Sequence, residues 1–288
     1  MKNMPLYKKY INMTKPGILI LVLITAALGF YFADPAFSRP FLLVWTLIGS
    51  ALTCAGASVL NQYLERDVDA LMNRTKNRPI PTGAISAPQA LCFGICLVLV
   101  GLFILCWQVN LLTAFLSLLT CFLYVLVYTP MKKISWLNTT IGAIPGAIPP
   151  MGGWSAATGH LDAGAWVLFL IMFAWQHPHF YAIAWIYKDD YKKAGFKMLP
   201  VVYPSGHFTF NQIIAFSFAL IAFSMMPTMI GISGYIYFWG ALFLGLGMLY
   251  TAFLFQQNQT ILNARRVLGA SILYLPLLLV FIVLDGIF

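Results

Sequence analysis

Runs of about twenty apolar residues recur along the whole chain, and they decide most of what it can fold into. A helix rises about 1.5 Å per residue, so roughly twenty residues cross the hydrocarbon core of a bilayer. Gly, Pro and charge mark off nine such blocks: residues 16–31, 41–63, 87–109, 111–128, 138–157, 163–187, 211–232, 235–256 and 267–284. Hydrophobic residues make up 61% of the chain and charged residues only 9%, against roughly 25% charged in a soluble domain. The short alternating segments of a membrane barrel do not occur. The expectation is an all-α, polytopic membrane bundle of about nine transmembrane helices, forming one domain over residues 1–288.

Charge placement supports the count. With nine spans, one side receives Lys2, Lys8, Lys9 and Lys15, the Arg66–Arg78 loop, Lys132 and Lys133, Lys188 to Lys197, and Arg265 and Arg266. Sixteen of the seventeen Lys and Arg residues then share a side, with Arg39 alone opposite. That is the positive-inside pattern. It predicts a multi-pass protein of the cell (inner) membrane, with a cytoplasmic N-terminus and the C-terminus outside. The basic N-terminus followed by an apolar run looks like a signal peptide, yet no small-residue cleavage site follows, so it reads as a retained first helix. The net charge of +9 does not point to nucleic acid. It follows from the charge bias plus an anionic ligand. All five cysteines lie inside apolar blocks, with no spacing that suits zinc or a disulfide framework.

Residues 61–83 hold three of the eight acidic residues. As a helix, Asn61, Glu65 and Asp69 recur at i, i+4, i+8 and share a face. Two carboxylates and an amide make a hard-oxygen site suited to Mg2+, whose shell substrate phosphates commonly complete. Arg74 and Arg78 repeat the spacing and can hold phosphate oxygens as forks. The competing explanation is a solvated loop between two spans. The face-matched amide and acids favour a metal–diphosphate site.

A second charged stretch closes the sixth span. Asp189 and Asp190 can supply or orient a metal, and Lys188, Lys192, Lys193 and Lys197 can meet diphosphate. Lysines at this helix end are also what topology alone predicts. Within the span, His177 and His179 are costly polar residues, which in a membrane default to function. Their i, i+2 spacing points them to different faces unless Pro178 bends the helix. Each can serve as haem ligand, propionate partner or general base, or be a satisfied core histidine. The fifth span, with Pro145, Pro149 and Pro150 among many glycines, is expected to be broken, and then either to line a cavity or to be buried in close helix packing.

Taken in order, these blocks resemble the UbiA superfamily of intramembrane prenyltransferases. Asn61, Glu65 and Asp69 match that family's Asn-x3-Asp-x3-Asp motif, with Glu65 in the middle place. The second motif, Asp-x3-Asp, is matched only at its start by Asp190, because Ala194 stands at its end. Residues 73–79, Tyr128-Thr129-Pro130, residues 142–154, the Gln176-His177-Pro178-His179-Phe180 block and residues 190–200 are similar to the haem O synthase branch. The resemblance implies transfer of farnesyl from farnesyl diphosphate to the carbon-2 vinyl group of haem B. Water addition then gives a hydroxyethylfarnesyl side chain. It implies Mg2+ held by Asn61, Glu65, Asp69 and Asp190, diphosphate held by Arg74, Arg78, Lys193 and Lys197, and a proton or haem role for His177 or His179. Haem A synthase or a terminal oxidase assembly is the implied downstream partner. Two other classes fit the topology: a transporter, which needs paired broken spans, and a structural oxidase subunit, which leaves the matched acids unexplained. A quinone-precursor transferase would share the first motif but lack the His-Pro-His block.

Overall fold

The computed structural model describes residues 4–287; Lys2 lies outside them. The described chain is helical: α1 (Leu6–Met13), α2 (Pro16–Ala33), α3 (Pro40–Asp69), α4 (Ala87–Gln108), α5 (Leu111–Phe122), α6 (Thr129–Ile134), α7 (Asn138–Thr158), α8 (Ala163–Ile186), α9 (Lys188–Lys193), α10 (Leu199–Val202), α11 (His207–Met229), α12 (Tyr235–Gln257) and α13 (Ile261–Ile287). A π-helical segment, Leu123–Tyr128, joins α5 to α6, so that one continuous span of 24 residues runs from Leu111 to Ile134. Among the described residues, eight helices are long and apolar enough to cross a membrane. The 21-residue α7 is the ninth long helix among the described residues.

Local chemistry sets the helix starts. Pro16 and Pro40 open α2 and α3, where a missing N–H costs nothing. Ser86 and Gln89 form a reciprocal capping box at the start of α4: each takes the other's backbone N–H, at 3.4 Å and 3.1 Å. Asn110 Oδ1 accepts from the Thr113 N–H (2.8 Å) and Asp162 Oδ1 from the Gly164 N–H (3.1 Å), capping α5 and α8.

The expected break in the fifth span is absent. α7 runs unbroken through Pro145, Pro149 and Pro150. A proline removes one helix hydrogen bond and crowds the preceding turn, but neighbouring helices can offset that loss within a membrane. α7 is packed closely on both sides: Gln176 Nε2 of α8 donates to the Ala143 carbonyl at 3.1 Å, and Gly153 lets α7 sit directly against the Ala26 carbonyl of α2. The second span is longer than expected: α3 continues to Asp69, so Asn61, Glu65 and Asp69 are all helical.

The helices form two groups that meet at α7 and α8. α8, α11, α12 and α13 close around a tight core containing Tyr181, Tyr237, Tyr274, Phe255 and Leu220, all buried. Two of its polar groups are tied off: Tyr274 OH donates to Ser224 Oγ (2.7 Å) and Trp175 Nε1 to the Ser271 carbonyl (2.7 Å). α3 and α4 pack closely because a Cβ on Gly56 would come within 2.6 Å of the Gly94 carbonyl oxygen. By contrast, α2, α3, α5, α7 and α8 stand around a cavity of about 470 Å³.

Candidate active site

The cavity begins among charges at one end of the bundle. Asn61, Glu65 and Asp69 line it from α3, as their shared face requires, and they are 1%, 6% and 0% exposed. Each has a polar partner from elsewhere in the chain. Lys132 Nζ sits 2.7 Å from Glu65 Oε1, and Arg78 Nη1 sits 2.6 Å from Asp69 Oδ2. Lys15 Nζ donates to Asn61 Oδ1 at 2.7 Å and lies 3.2 Å from Tyr124 OH. The Asn61 amide donates to Thr129 Oγ1 at 3.0 Å. Burying an ion pair is costly, so three cations beside two acids in a membrane bundle call for a further, anionic occupant.

Lys15 is held unusually. Its φ of 52° lies in the left-handed region, rare for a residue with a side chain, and it stands directly before Pro16. Burial pushes its ammonium down to about 7, and the Arg78 guanidinium adds to the push. A bound anion would reverse both effects.

The residues fit a hard divalent cation. Asp69 Oδ1 is buried and has no hydrogen-bond partner, while Glu65 and Asn61 present oxygens on the same face. Among the described residues no group of three or more His, Cys, Asp or Glu converges on a metal-sized space. Mg2+ here would therefore depend on phosphate oxygens to fill its shell, as Mg2+ sites commonly do.

The second charged stretch meets the first at the same end. Asp190 accepts from Asn73 Nδ2 (3.4 Å) and from the Arg74 backbone N–H (3.3 Å). The Arg74 guanidinium donates to Tyr191 OH (3.1 Å) and lies over the rings of Tyr187 and Tyr191. Arg74, Arg78 and Tyr191 line the cavity; Asp190, Lys193 and Lys197 stand off its wall. Asp190 is half-buried, and both lysines are exposed.

The two histidines part company. α8 continues through Pro178, so i, i+2 spacing sends them to different sides. His177 is buried with its ring stacked on Phe216, 3.5 Å between centroids; one nitrogen meets the Phe173 carbonyl at 2.8 Å and the other Thr140 Oγ1 at 3.3 Å. It does not line the cavity. His179 does, with Nδ1 2.8 Å from Ser271 Oγ and its ring stacked on Trp175.

Sequence reasoning missed four site residues. Lys15 and Lys132 read as ordinary positive-inside lysines. Nothing in the sequence singles out Tyr124, and Tyr128 enters only within the Tyr128-Thr129-Pro130 block of the resemblance. The two tyrosines lie in the π-helical segment, their rings stacked 5.7 Å apart, and Lys132 sits 4.6 Å above the Tyr128 ring. The one local signal is that Lys132 follows the Tyr128-Thr129-Pro130 segment by two residues. π-helical segments are enriched at functional sites.

The molecule can be placed among known proteins. Residues 22–282 match the UbiA prenyltransferase family. A protein of Solibacter usitatus named protoheme IX farnesyltransferase is 45% identical over 287 residues, spanning 96% of this chain and 98% of that one. One of Salinibacter ruber with the same name is 43% identical, again spanning 96% and 98%. In fold, the chain is similar to a structure reported for digeranylgeranylglyceryl phosphate synthase (TM-score 0.79, 17% identity, 99% of each chain). It is also similar to a UbiA homolog from Archaeoglobus fulgidus bound to GPP and Mg2+ (TM-score 0.70, 19% identity, 96% of this chain and 99% of that one). A bundle of membrane-spanning helices, a charged mouth and close relatives along its full length lead to one conclusion: this chain is a multi-pass membrane enzyme belonging to the UbiA prenyltransferase family.

Proposed function

We propose that this chain transfers a farnesyl group from farnesyl diphosphate to haem B. The acceptor is the carbon-2 vinyl group, and water addition leaves a hydroxyethylfarnesyl side chain. The observation that carries the reading is the continuity of the cavity: a mouth of acids and cations opens into a chamber walled by Trp175, Phe180, Ile183 and Leu116. A diphosphate needs the first part and a prenyl chain with an apolar acceptor needs the second. The names of the relatives at 45% and 43% identity support the substrates.

The diphosphate lies among Lys15, Arg78 and Lys132, whose side chains are already held in position before substrate arrives. Asn61, Glu65 and Asp69 would hold Mg2+, which neutralises charge on the departing diphosphate. Arg74 adds a guanidinium from the loop after α3, and Asp190 holds that loop by its backbone. Lys193 and Lys197 contribute to the attractive field outside rather than to contact.

The C1–O bond breaks with its electron pair leaving on the diphosphate, and C1 becomes an allylic cation. Tyr124 and Tyr128 line the cavity beside the charged mouth and give that part of it an aromatic wall. The vinyl π pair of haem closes a C–C bond to C1. Positive charge moves to the carbon beside the macrocycle, where water adds and releases a proton. His179 lines the chamber with Nδ1 engaged by Ser271 Oγ, which leaves Nε2 to take that proton or to meet the haem. The charged end faces the cytoplasm from the cell's inner membrane, and haem A synthase or a terminal oxidase assembly takes the product.

Mass spectrometry of haems formed by the purified protein from haem B and farnesyl diphosphate tests the reading. A farnesylated, hydrated haem is expected, released with diphosphate. Diphosphate release with a prenylated aromatic acceptor, and none with haem, would move the chain to a quinone-precursor role.

A further inference from the structure

The chamber has a measurable depth below the charged node. Lys15, Asn61 and Tyr124 are joined by hydrogen bonds and come from three different parts of the chain. From each, the same helix descends to its deepest cavity-lining residue: Thr25 in α2, Ser50 in α3 and Thr113 in α5. The separations are ten, eleven and eleven residues, or about 15 to 17 Å at 1.5 Å per residue. Three independent helices therefore give one depth.

An extended covalent chain advances about 3.6 Å per three bonds. The eleven main-chain bonds of a farnesyl group then span about 13 Å, a geranyl group's seven about 8 Å and a geranylgeranyl group's fifteen about 18 Å. Only the first both fills the chamber and fits within it.

Towards the far end, Leu116 and Ile148 line the chamber and are backed by buried Met151. Hydroxyl pairs brace the helices at this level: Thr53 Oγ1 to Ser117 Oγ at 2.7 Å ties α3 to α5, and Thr113 Oγ1 to Ser155 Oγ at 2.8 Å ties α5 to α7. Such pairs resist separation in an apolar surrounding. Gly152 lines the same end, and a Cβ built on it would meet nothing within 4 Å. It is the position where a larger side chain would occupy the chamber rather than clash with a wall.

We infer that the floor of the chamber at Thr25, Ser50 and Thr113, walled by Leu116, Ile148 and Gly152 and braced by the Thr53–Ser117 and Thr113–Ser155 pairs, sets the length of the prenyl chain the enzyme accepts. This deepens the proposed transfer reaction and rests on its assignment of the diphosphate to the charged mouth.

The test uses the full-length protein in detergent with geranyl, farnesyl and geranylgeranyl diphosphates. Haem products are read by mass spectrometry, and binding of the unreactive thiodiphosphates is read by calorimetry. Gly152→Leu is expected to lower farnesyl transfer and farnesyl affinity at least tenfold while geranyl stays within about threefold of its starting value. Leu116→Ala is expected to raise geranylgeranyl affinity at least tenfold. Unchanged chain-length preference in both variants, or equal loss for every chain length with an unaltered melting temperature, would overturn the ruler. Binding separates the two readings. If no donor yields a prenylated haem but the variants still shift thiodiphosphate length preference, the haem reaction falls and the floor stands.

Discussion

The two charged stretches use similar residue types and end up in opposite physical states. Asn61, Glu65 and Asp69 are sunk in the bundle and matched to buried or half-buried cations. Asp189, Lys192, Lys193 and Lys197 face outward, and half-buried Asp190 grips the loop after α3 rather than the cavity. A charge at the surface is screened within about 10 Å by salt, whereas one in the cavity keeps its field. On this account the first stretch performs the chemistry and the second positions it.

The largest effects should come from the sunken acids. Asp69→Asn and Glu65→Gln are each expected to lower turnover about 10²–10³-fold, the cost of losing one preorganised electrostatic group. Chelation of divalent cations should do at least as much to the wild-type rate. An equal loss in Asp190→Asn would erase the contrast between the stretches and make Asp190 a ligand. Lys132→Met comes next, at about 10²-fold in turnover, because it removes a cation 2.7 Å from Glu65 and leaves that acid buried without its partner.

The histidines sharpen the comparison on a smaller scale. His179→Ala should lower haem product formation about tenfold, an effect worth about 1.4 kcal/mol, with the melting temperature little changed. His177→Ala should do the reverse: near-normal turnover, and about 1–3 kcal/mol of stability lost in a denaturant titration, since its ring packs on Phe216 away from the cavity. Smaller still, Asp190→Asn should raise the KM for donor about threefold to tenfold through a loosened Arg74 loop. Lys193→Met should change rates less than about twofold, as expected of an exposed charge.

What the residue pattern discloses differs between fold and site. Apolar block length and the one-sided lysines are local signals, so nearly every span was readable with its boundary off by a few residues. The Asn61, Glu65 and Asp69 face was readable because helical spacing is also local. Lys15, Lys132 and Tyr124 were not, because their roles arise from contacts 46, 67 and 109 residues distant in sequence. A lysine at a helix end looks the same whether it meets lipid headgroups or reaches into a buried amide. The proline-rich span misled for a related reason: α7 packs against α2 and α8, and those contacts are not written in its own residues.

Pulsed electron paramagnetic resonance with Mn2+ in place of Mg2+, and farnesyl thiodiphosphate as the donor, addresses the central claim most directly. Phosphorus coupling to Mn2+ is expected in the wild type and in Lys193→Met, and its loss in Asp69→Asn. Coupling of undiminished strength in Asp69→Asn, or none in the wild type at saturating donor, would contradict a metal–diphosphate site built on the buried acids of α3.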